Sequence, residues 1–312
     1  MKAVHVNSYG GPEVLEIKND LPSPAPFKNQ IQVEVHAVSI NPYDVKIVSG
    51  LYKDYMPLEF PAVPGGDYAG VIASLGEGVA DFKVGDKVYG SANVLSGGTG
   101  SFAEIAIANV KNSAHMPSNI NFEDAAALPV VGSSVVQALE QHIKLKKGQK
   151  ILIHGGAGGI GHLAIQLAKS IGAWVATTVD SDDVDYVKTL GADEVIDYKK
   201  QNFEEKLSNF DAVYDMVGGE TTEKSFKVLK KGGVLVSMLG APNEELAKKY
   251  GVTAVGQGTK TETANLTRVT QLVDSGQMKV HVDKVFPLDA VKDAFAYQKE
   301  NSPQGKIVLK IK

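Results

Sequence analysis

The sequence predicts an α/β protein: a doubly wound parallel sheet joined to a β-rich domain that is discontinuous in sequence. Three observations carry this. Residues 1–117 read as short strands punctuated by Gly and Pro; after about residue 118 short apolar strands alternate with helical patterns; and residues 276–312 return to strand-like patterns. At roughly 150 residues per domain, a chain of 312 residues divides into two. The expected division is 1–117 with 276–312 for the β-rich domain, and 118–275 for the parallel sheet.

In the first part, "IQVEVHA" alternates cleanly, with Ile31, Val33, Val35 and Ala37 on one face and Gln32, Glu34 and His36 on the other. "YAGVIASLG", "GDKVYG" and "FAEIAIA" read as further strands bounded by turns, the texture of an antiparallel barrel or sandwich. In the second part, "KILIH" (150–154) is a short apolar strand. The next segment carries Ile160, Leu163, Ala164, Leu167, Ala168 and Ile171, a stripe of helical period. "WVATTV", a helix around 184–190, "EVI", a helix around 203–207, "AVYDMV", a helix around 221–230 and "VLVSML" continue the alternation. "MKVHVDKVF" and "GKIVLKI" are the returning strands.

Apolar residues make up 43% and charged residues 22%, an ordinary balance for a soluble globular protein. A net charge of −4 supplies no electrostatic attraction to nucleic acid or to an anionic membrane. There is no cysteine, which excludes disulfides and every thiolate metal site. The N-terminal stretch lacks an apolar leader core, and no run of about 18 apolar residues occurs. The expected setting is the cytoplasm.

"LIHGGAGGIGHLAIQLA" contains G-x-G-x-x-G as Gly156, Gly158 and Gly161. It follows an apolar strand and opens an amphipathic helix, the context in which this motif marks a dinucleotide-binding Rossmann sheet. In that role Gly156 permits a tight turn, Gly158 lets the backbone approach a pyrophosphate, and Gly161 lets helix and strand pack closely. The helix N-terminus adds unpaired N–H groups and the positive end of its dipole. A P-loop is excluded, because the only Gly-Lys pair, Gly305–Lys306, precedes Ile307.

Four carboxylates then crowd "VDSDDVDY": Asp180, Asp182, Asp183 and Asp185. An EF-hand counted from Asp180 would need Gly at its sixth place and Glu at its twelfth, where Asp185 and Gly191 stand. Asp182, Asp183 and Asp185 read as solvated charges at a helix start. Asp180 ends the second strand of the alternating part, 19 residues after Gly161, where a dinucleotide fold places its ribose-reading acid. A carboxylate there accepts from the ribose hydroxyls of NAD and repels the 2′-phosphate of NADP, strongly enough to decide cofactor choice unless a basic residue intervenes.

These motifs, in order, resemble the medium-chain dehydrogenase/reductase superfamily and its zinc-free quinone oxidoreductase branch. The matching segments include "SINPYDVKIVSGLY" (39–52), "PAVPGGDYAGVI" (61–72), "GSFAEIA" (100–106), "EDAAALPVVGSSVVQAL" (123–139), "YDMVGG" (214–219) and "PQGKIVLKI" (303–311), so the likeness runs over essentially the whole chain. It implies a GroES-like β-rich catalytic domain beside the Rossmann domain. It also implies NAD(P)H-dependent reduction of a quinone or an α,β-unsaturated carbonyl. The places matching two zinc ligands of the alcohol dehydrogenases hold Asn41 and Gly66, so no metal is expected.

The resemblance further implies a cofactor-binding set. Gly156, Ala157, Gly158, Gly159, Ile160 and Gly161 would hold the pyrophosphate; Val217, Gly218 and Gly240 would line the dinucleotide; Asn41, Val131 and Ser134 would lie near the nicotinamide. Tyr52 matches a tyrosine that faces substrate, so Tyr52 and Asn41 are the catalytic candidates. Tyr198 matches a residue that contacts the 2′-phosphate in NADPH-using relatives. The branch implies NADPH, whereas Asp180, Asp182 and Asp183 tip the expectation slightly toward NADH. Relatives are often homodimers through the edge of the nucleotide-binding sheet, here the short stretch Val252–Val255.

Other enzyme classes lack their motifs: none of the eleven tyrosines has Lys at the fourth following position, and G-x-S-x-G is absent. The remaining alternative is a non-catalytic dinucleotide-binding redox sensor or structural protein on the same fold.

Overall fold

Strands β1 (Ala3–His5) and β2 (Glu16–Lys18) pair antiparallel in the computed structural model, which describes residues 1–312. In β3 (Gln30–Ile40) the alternation of the sequence becomes a buried face: Ile31, Val33, Val35 and Ala37 are inaccessible to solvent, and Gln32, Glu34 and His36 are partly covered. β4 (Asp67–Leu75) and β6 (Ile105–Asn109) both pair antiparallel with β3; β5 (Lys87–Ser91) pairs with β4, and β7 (Ser113–His115) with β5.

The second half builds β8 (Lys150–His154), β9 (Trp174–Val179), β10 (Glu194–Asp197), β11 (Phe210–Asp215), β12 (Leu229–Ser237) and β13 (Thr253–Gly256). All pair in parallel, in the order β10-β9-β8-β11-β12-β13. Counted within this sheet the order is 3-2-1-4-5-6, the doubly wound arrangement. The helix Gly161–Ile171 buries Leu163, Ala164, Leu167 and Ala168 of the expected stripe. The helix expected around 221–230 is shorter, Glu220–Ser225. Its intended last turn is lost because Phe226 and Val228 are buried and the Val228 carbonyl accepts from Phe210 N–H, which starts the extended β12.

β14 (Val282–Pro287) and β15 (Lys306–Lys310) pair in parallel, and β15 joins β3 antiparallel. The first sheet therefore runs β14-β15-β3-β4-β5-β7, with β6 also on β3. Strand β14 starts later than "MKVHVDKVF" suggests, because the Lys279 backbone is bound on both sides by the Gln166 carboxamide. In the β15–β3 register Ile307 lies opposite Ile40, which brings Lys306 to the end of β3.

The compact units are Met1–Val130 with Thr261–Asp274 and Val280–Lys312, and Val131–Lys260 with Ser275–Lys279. These differ from the expected boundaries at 117/118 and 275/276. The helix Thr263–Asp274 belongs to the β-rich unit: Tyr89 hydroxyl donates to the Leu266 carbonyl (2.6 Å), and Thr263 hydroxyl bonds the Val110 and Ser113 carbonyls (2.9 Å each). Helical periodicity announces a helix but not which sheet it covers. No helix is long and apolar enough to cross a membrane.

Candidate functional site

In the parallel sheet the strand order reverses between β8 and β11, and ligands of such sheets bind at the carboxyl ends of the strands at that point. The glycine loop leaves β8 there. Its left-handed residue is Gly155, at φ +74°, and not Gly156 as the motif suggests. Gly156 is required for another reason: a Cβ on it would lie 2.0 Å from Thr177 Oγ1 of β9. At Gly161 a Cβ would strike the Gly155 carbonyl at 2.1 Å, so the first helical turn seats directly on the loop. Gly158 is different. The nearest atom to its Cβ would be Gly155 O at 3.6 Å, which leaves the loop open on that side. Ala157, Gly159 and Ile160 complete the loop, with Gly158 N–H closing on Gly155 O and His162 N–H on Gly158 O.

Two histidines flank this loop and neither is placed as a metal ligand. His154 is buried, with Nδ1 against Thr178 Oγ1 and Nε2 against Ser225 Oγ, both at 2.9 Å. Burial drives its pKa down to about 4, against the raising influence of Asp215 and Glu204. His162 Nδ1 meets the Gly158 carbonyl at 3.0 Å.

Asp180 follows the last residue of β9. One of its oxygens, Oδ2, faces Lys199 Nζ at 2.5 Å and accepts from the Tyr198 hydroxyl at 3.3 Å. The other, Oδ1, is buried and has no partner within the chain. Lys199, foremost, holds the carboxyl below its usual range, and Tyr198 adds to this. A basic residue does intervene: Lys199, which the sequence reading did not single out, pairs with Asp180. Asp182 and Asp183 lie in the one-turn 3-10 segment Ser181–Asp183, and Asp185 pairs with Lys188 at 3.2 Å in the next helix, Val184–Thr189.

The loop after β11 is held by Asp215, a residue missed in the sequence. Its Oδ1 accepts the N–H groups of Val217 (2.8 Å) and Gly218 (3.1 Å), and its Oδ2 accepts from the Thr222 hydroxyl. Val217 is left half exposed, and Gly218 takes φ +84°. Beyond β12, Gly240 adopts φ +118° with open space where a side chain would stand. Val131 and Ser134 sit one turn apart on the helix Pro129–Val136. The Ser134 carbonyl accepts from Tyr214 hydroxyl (3.2 Å) and Gln257 Nε2 (3.0 Å), and its hydroxyl meets Thr259 Oγ1 at 2.7 Å.

Within the β-rich unit, Asn41 ends β3 and begins the helix Pro42–Val48. It is 4% exposed and fully engaged: Nδ2 donates to Asp67 Oδ2 (2.8 Å), Oδ1 accepts from Lys306 Nζ (2.6 Å), and its N–H donates to Asp44 Oδ2 (2.8 Å). Asp67 also accepts from Ser39 Oγ (2.9 Å) and Val130 N–H (3.2 Å). Two carboxylates and one ammonium are thus buried together. Burial pushes Asp44 up to about 7, with Asp67 adding, and burial lowers Lys306. Asp67, with three donors besides the nearby ammonium, is the better site for the charge. Asp44, Asp67 and Lys306 were missed as functional residues; the available signal was an acid opening the apolar run "DYAGVI" and a lysine opening "KIVLKI", since buried charges need partners.

Tyr52 lies in the turn after Pro42–Val48, its ring stacked with Tyr43 at 6.1 Å, and its carbonyl accepts from Met56 N–H. The donor set near Asn41 does not suit zinc: Asn41 is committed to Asp67 and Lys306, Gly66 has no side chain, and no group of three or more His, Cys, Asp or Glu is placed to hold an ion.

Residues 28–118 match the alcohol dehydrogenase GroES-like domain family and residues 190–309 the zinc-binding dehydrogenase family. The chain is 34% identical to the chloroplast envelope quinone oxidoreductase homolog of Arabidopsis thaliana, over 99% of this chain and 98% of that protein. It is 36% identical to the chloroplastic NADPH-dependent alkenal/one oxidoreductase of the same plant, over 99% of this chain and 79% of that protein. Among solved structures it superposes on the quinone oxidoreductase from Coxiella burnetii with a TM-score of 0.92, at 33% identity, covering 100% of this chain and 99% of that one.

Proposed function

The chain belongs to the medium-chain dehydrogenase/reductase superfamily, in its zinc-free quinone oxidoreductase-like branch, and from that premise we propose that it uses NADH or NADPH to reduce quinones or α,β-unsaturated carbonyls. The observation that carries the reading is the pairing of an open glycine loop with the Asp180 carboxylate at the carboxyl ends of adjacent strands of one doubly wound sheet. An acceptor of that kind suits a ribose hydroxyl, and the loop and helix start suit a pyrophosphate.

When bound, the reduced nicotinamide supplies hydride to an electrophilic carbon or quinone ring. The work of this chain is to bind and orient. Gly156 to Gly161 hold the pyrophosphate, Asp180 the ribose, and Val217, Gly218 and Gly240 line the dinucleotide. In the parallel-sheet unit, Val131 and Ser134 would hold the nicotinamide. Asn41 can turn in neither direction, because its two polar atoms face groups of opposite demand, a carboxylate and an ammonium. Charge developing on a carbonyl oxygen requires a donor, and Tyr52 is the side chain assigned to it. No buried general acid is needed if solvent returns the proton.

Purified protein mixed with NADH or NADPH and a panel of quinones and enals should lose absorbance at 340 nm. If no pair reacts while dinucleotide still binds, the protein is a redox sensor or structural protein. Tyr52→Phe should lower kcat and leave the dinucleotide Kd unchanged. Pairing of two copies through the β13 edge is proposed as the assembly, to be checked by sedimentation.

A further inference from the structure

We propose that His154 is a positioning residue whose ring ties the glycine loop after β8 to the loop after β11 and holds the two at one spacing, so that dinucleotide affinity depends on this bridge. The role rests on the dinucleotide reading above and belongs to a residue that touches no ligand.

His154 ends β8, where the strand order reverses. Its register partners are Thr178 of β9 on one side and Asp215 of β11 on the other. All three are buried, and residues of one register row share a face of the sheet. Each outer member holds loop backbone. The Thr178 carbonyl accepts the N–H groups of Gly155 (3.1 Å) and Gly156 (3.2 Å), and the Thr178 hydroxyl oxygen lies 3.4 Å from Gly155 N–H. Asp215 accepts from Val217, Gly218 and Thr222, the last of these in the helix Glu220–Ser225. That helix ends on Ser225, which meets His154 Nε2. One ring nitrogen of His154 therefore reaches the strand that carries the glycine loop, and the other reaches the helix that follows the β11 loop.

The neighbours fix the direction of these bonds. The Ser225 hydroxyl donates to the Thr221 carbonyl at 2.7 Å, so its oxygen accepts from His154 Nε2–H. The Thr178 hydroxyl, whose oxygen faces Gly155 N–H, donates to Nδ1. The ring is thus the neutral Nε2–H tautomer. Asp215 and Glu204 are the acids that face it, burial keeps it uncharged against them, and Phe203 covers it edge to face at 4.6 Å between centroids. An apolar side chain would fill the same space without desolvating two nitrogens. What the imidazole adds is the pair of directed bonds.

The test is fluorescence titration with NADH and NADPH, and steady-state kinetics, of the full-length wild type, His154→Phe, Ser225→Ala and the double variant. Ser225→Ala and His154→Phe should each raise Kd by about fivefold or more, and the double variant should be no weaker than His154→Phe, because a bridge fails once either arm is cut. At saturating dinucleotide kcat should stay within about twofold, so that the loss appears in KM. Without ligand, the Val217 and Gly218 amides should exchange hydrogen faster in His154→Phe. Nitrogen-15 spectra of the wild type should show Nε2 protonated and Nδ1 bare. If His154→Phe folds and binds as the wild type does, or if the two single effects add, the bridge is overturned and the dinucleotide site stands. If His154→Phe does not fold, Ser225→Ala and the imidazole spectrum decide: unchanged Kd or an Nδ1–H tautomer overturns the bridge. If the wild type binds neither dinucleotide, the site reading falls, and the claim on affinity falls with it; amide exchange in His154→Phe still shows whether the ring couples the loops.

Discussion

Lys306 donates its ammonium to Asn41 Oδ1 across 2.6 Å although the two residues are 265 positions apart. The same ammonium bonds the Ile40 carbonyl at 2.9 Å, so the returning strand β15 clamps the end of β3 where Asn41 stands.

Removing that clamp should be costly. Lys306→Met leaves Asp67 and Asp44 buried without their cation, and breaking a buried pair costs about 3–5 kcal/mol. Urea unfolding should show that loss, and Lys306→Met combined with Asp67→Asn should recover part of it. Equal losses in the single and double variants would mean the ammonium does not stabilise through Asp67.

Asp44 should make stability pH-dependent. Its folded pKa is raised from 3.8 to about 7, chiefly by burial. Between those values the folded chain keeps a proton that the unfolded chain has released, so the unfolded state binds fewer protons. Stability from this group is therefore full at low pH and falls as pH rises through the window, by up to about 1.4 kcal/mol per unit. Asp44→Asn, whose carbonyl can still accept from Asn41 N–H, should gain on the wild type from pH 5 to pH 8. A difference that does not change with pH would contradict this.

The glycines of the loop should separate folding from binding. Gly161→Ala drives a Cβ into the Gly155 carbonyl and should cost about 1–3 kcal/mol of stability. Gly158→Ala meets nothing closer than 3.6 Å and should unfold like the wild type, yet bind dinucleotide more weakly because the methyl group occupies the open side. Unchanged affinity in Gly158→Ala would remove the pyrophosphate from that place.

His154 should stay neutral in the folded protein. With its pKa lowered to about 4, mainly by burial, its ring resonances should not titrate between pH 8 and pH 5.5. The unfolded ring takes a proton near 6.5, so this group's contribution is present above that value and is lost as pH falls toward 4. A midpoint near 6.5 in the folded spectrum would show that the ring reaches water.

Much of the fold was legible because its signals are local. The period-two face of β3 and the helical stripe after Gly161 depend on neighbours a few residues away, and hydrophobic burial enforces them directly. The glycine motif was legible for the same reason, although its reasons were partly misassigned. Gly155 carries the left-handed turn, and Gly156 is small because Thr177 of the next strand lies against it. The short helix Glu220–Ser225 was overextended, since residues 226–228 suit a helix until Phe210 pairs with Val228.

The residues that escaped notice act through contacts that the chain makes only once it is folded. Asp215 looked like one acid in "YDMVGG" until its oxygens were seen to hold Val217 and Gly218. Lys199 and Lys200 are indistinguishable in sequence, and only the course of one turn gives the first to Asp180 and the second to Asp197.

By itself, the order of residues determined the doubly wound sheet, the discontinuous β-rich domain, the glycine loop and the place of Asp180 at the end of a strand, because periodicity and glycine steric limits act over a few residues. Tertiary structure alone decided which charges meet. Partners far apart in sequence fall within 3 Å only after strands register, so the compensation of Asp180 by Lys199 and the locking of Asn41 between Asp67 and Lys306 exist only in the folded chain.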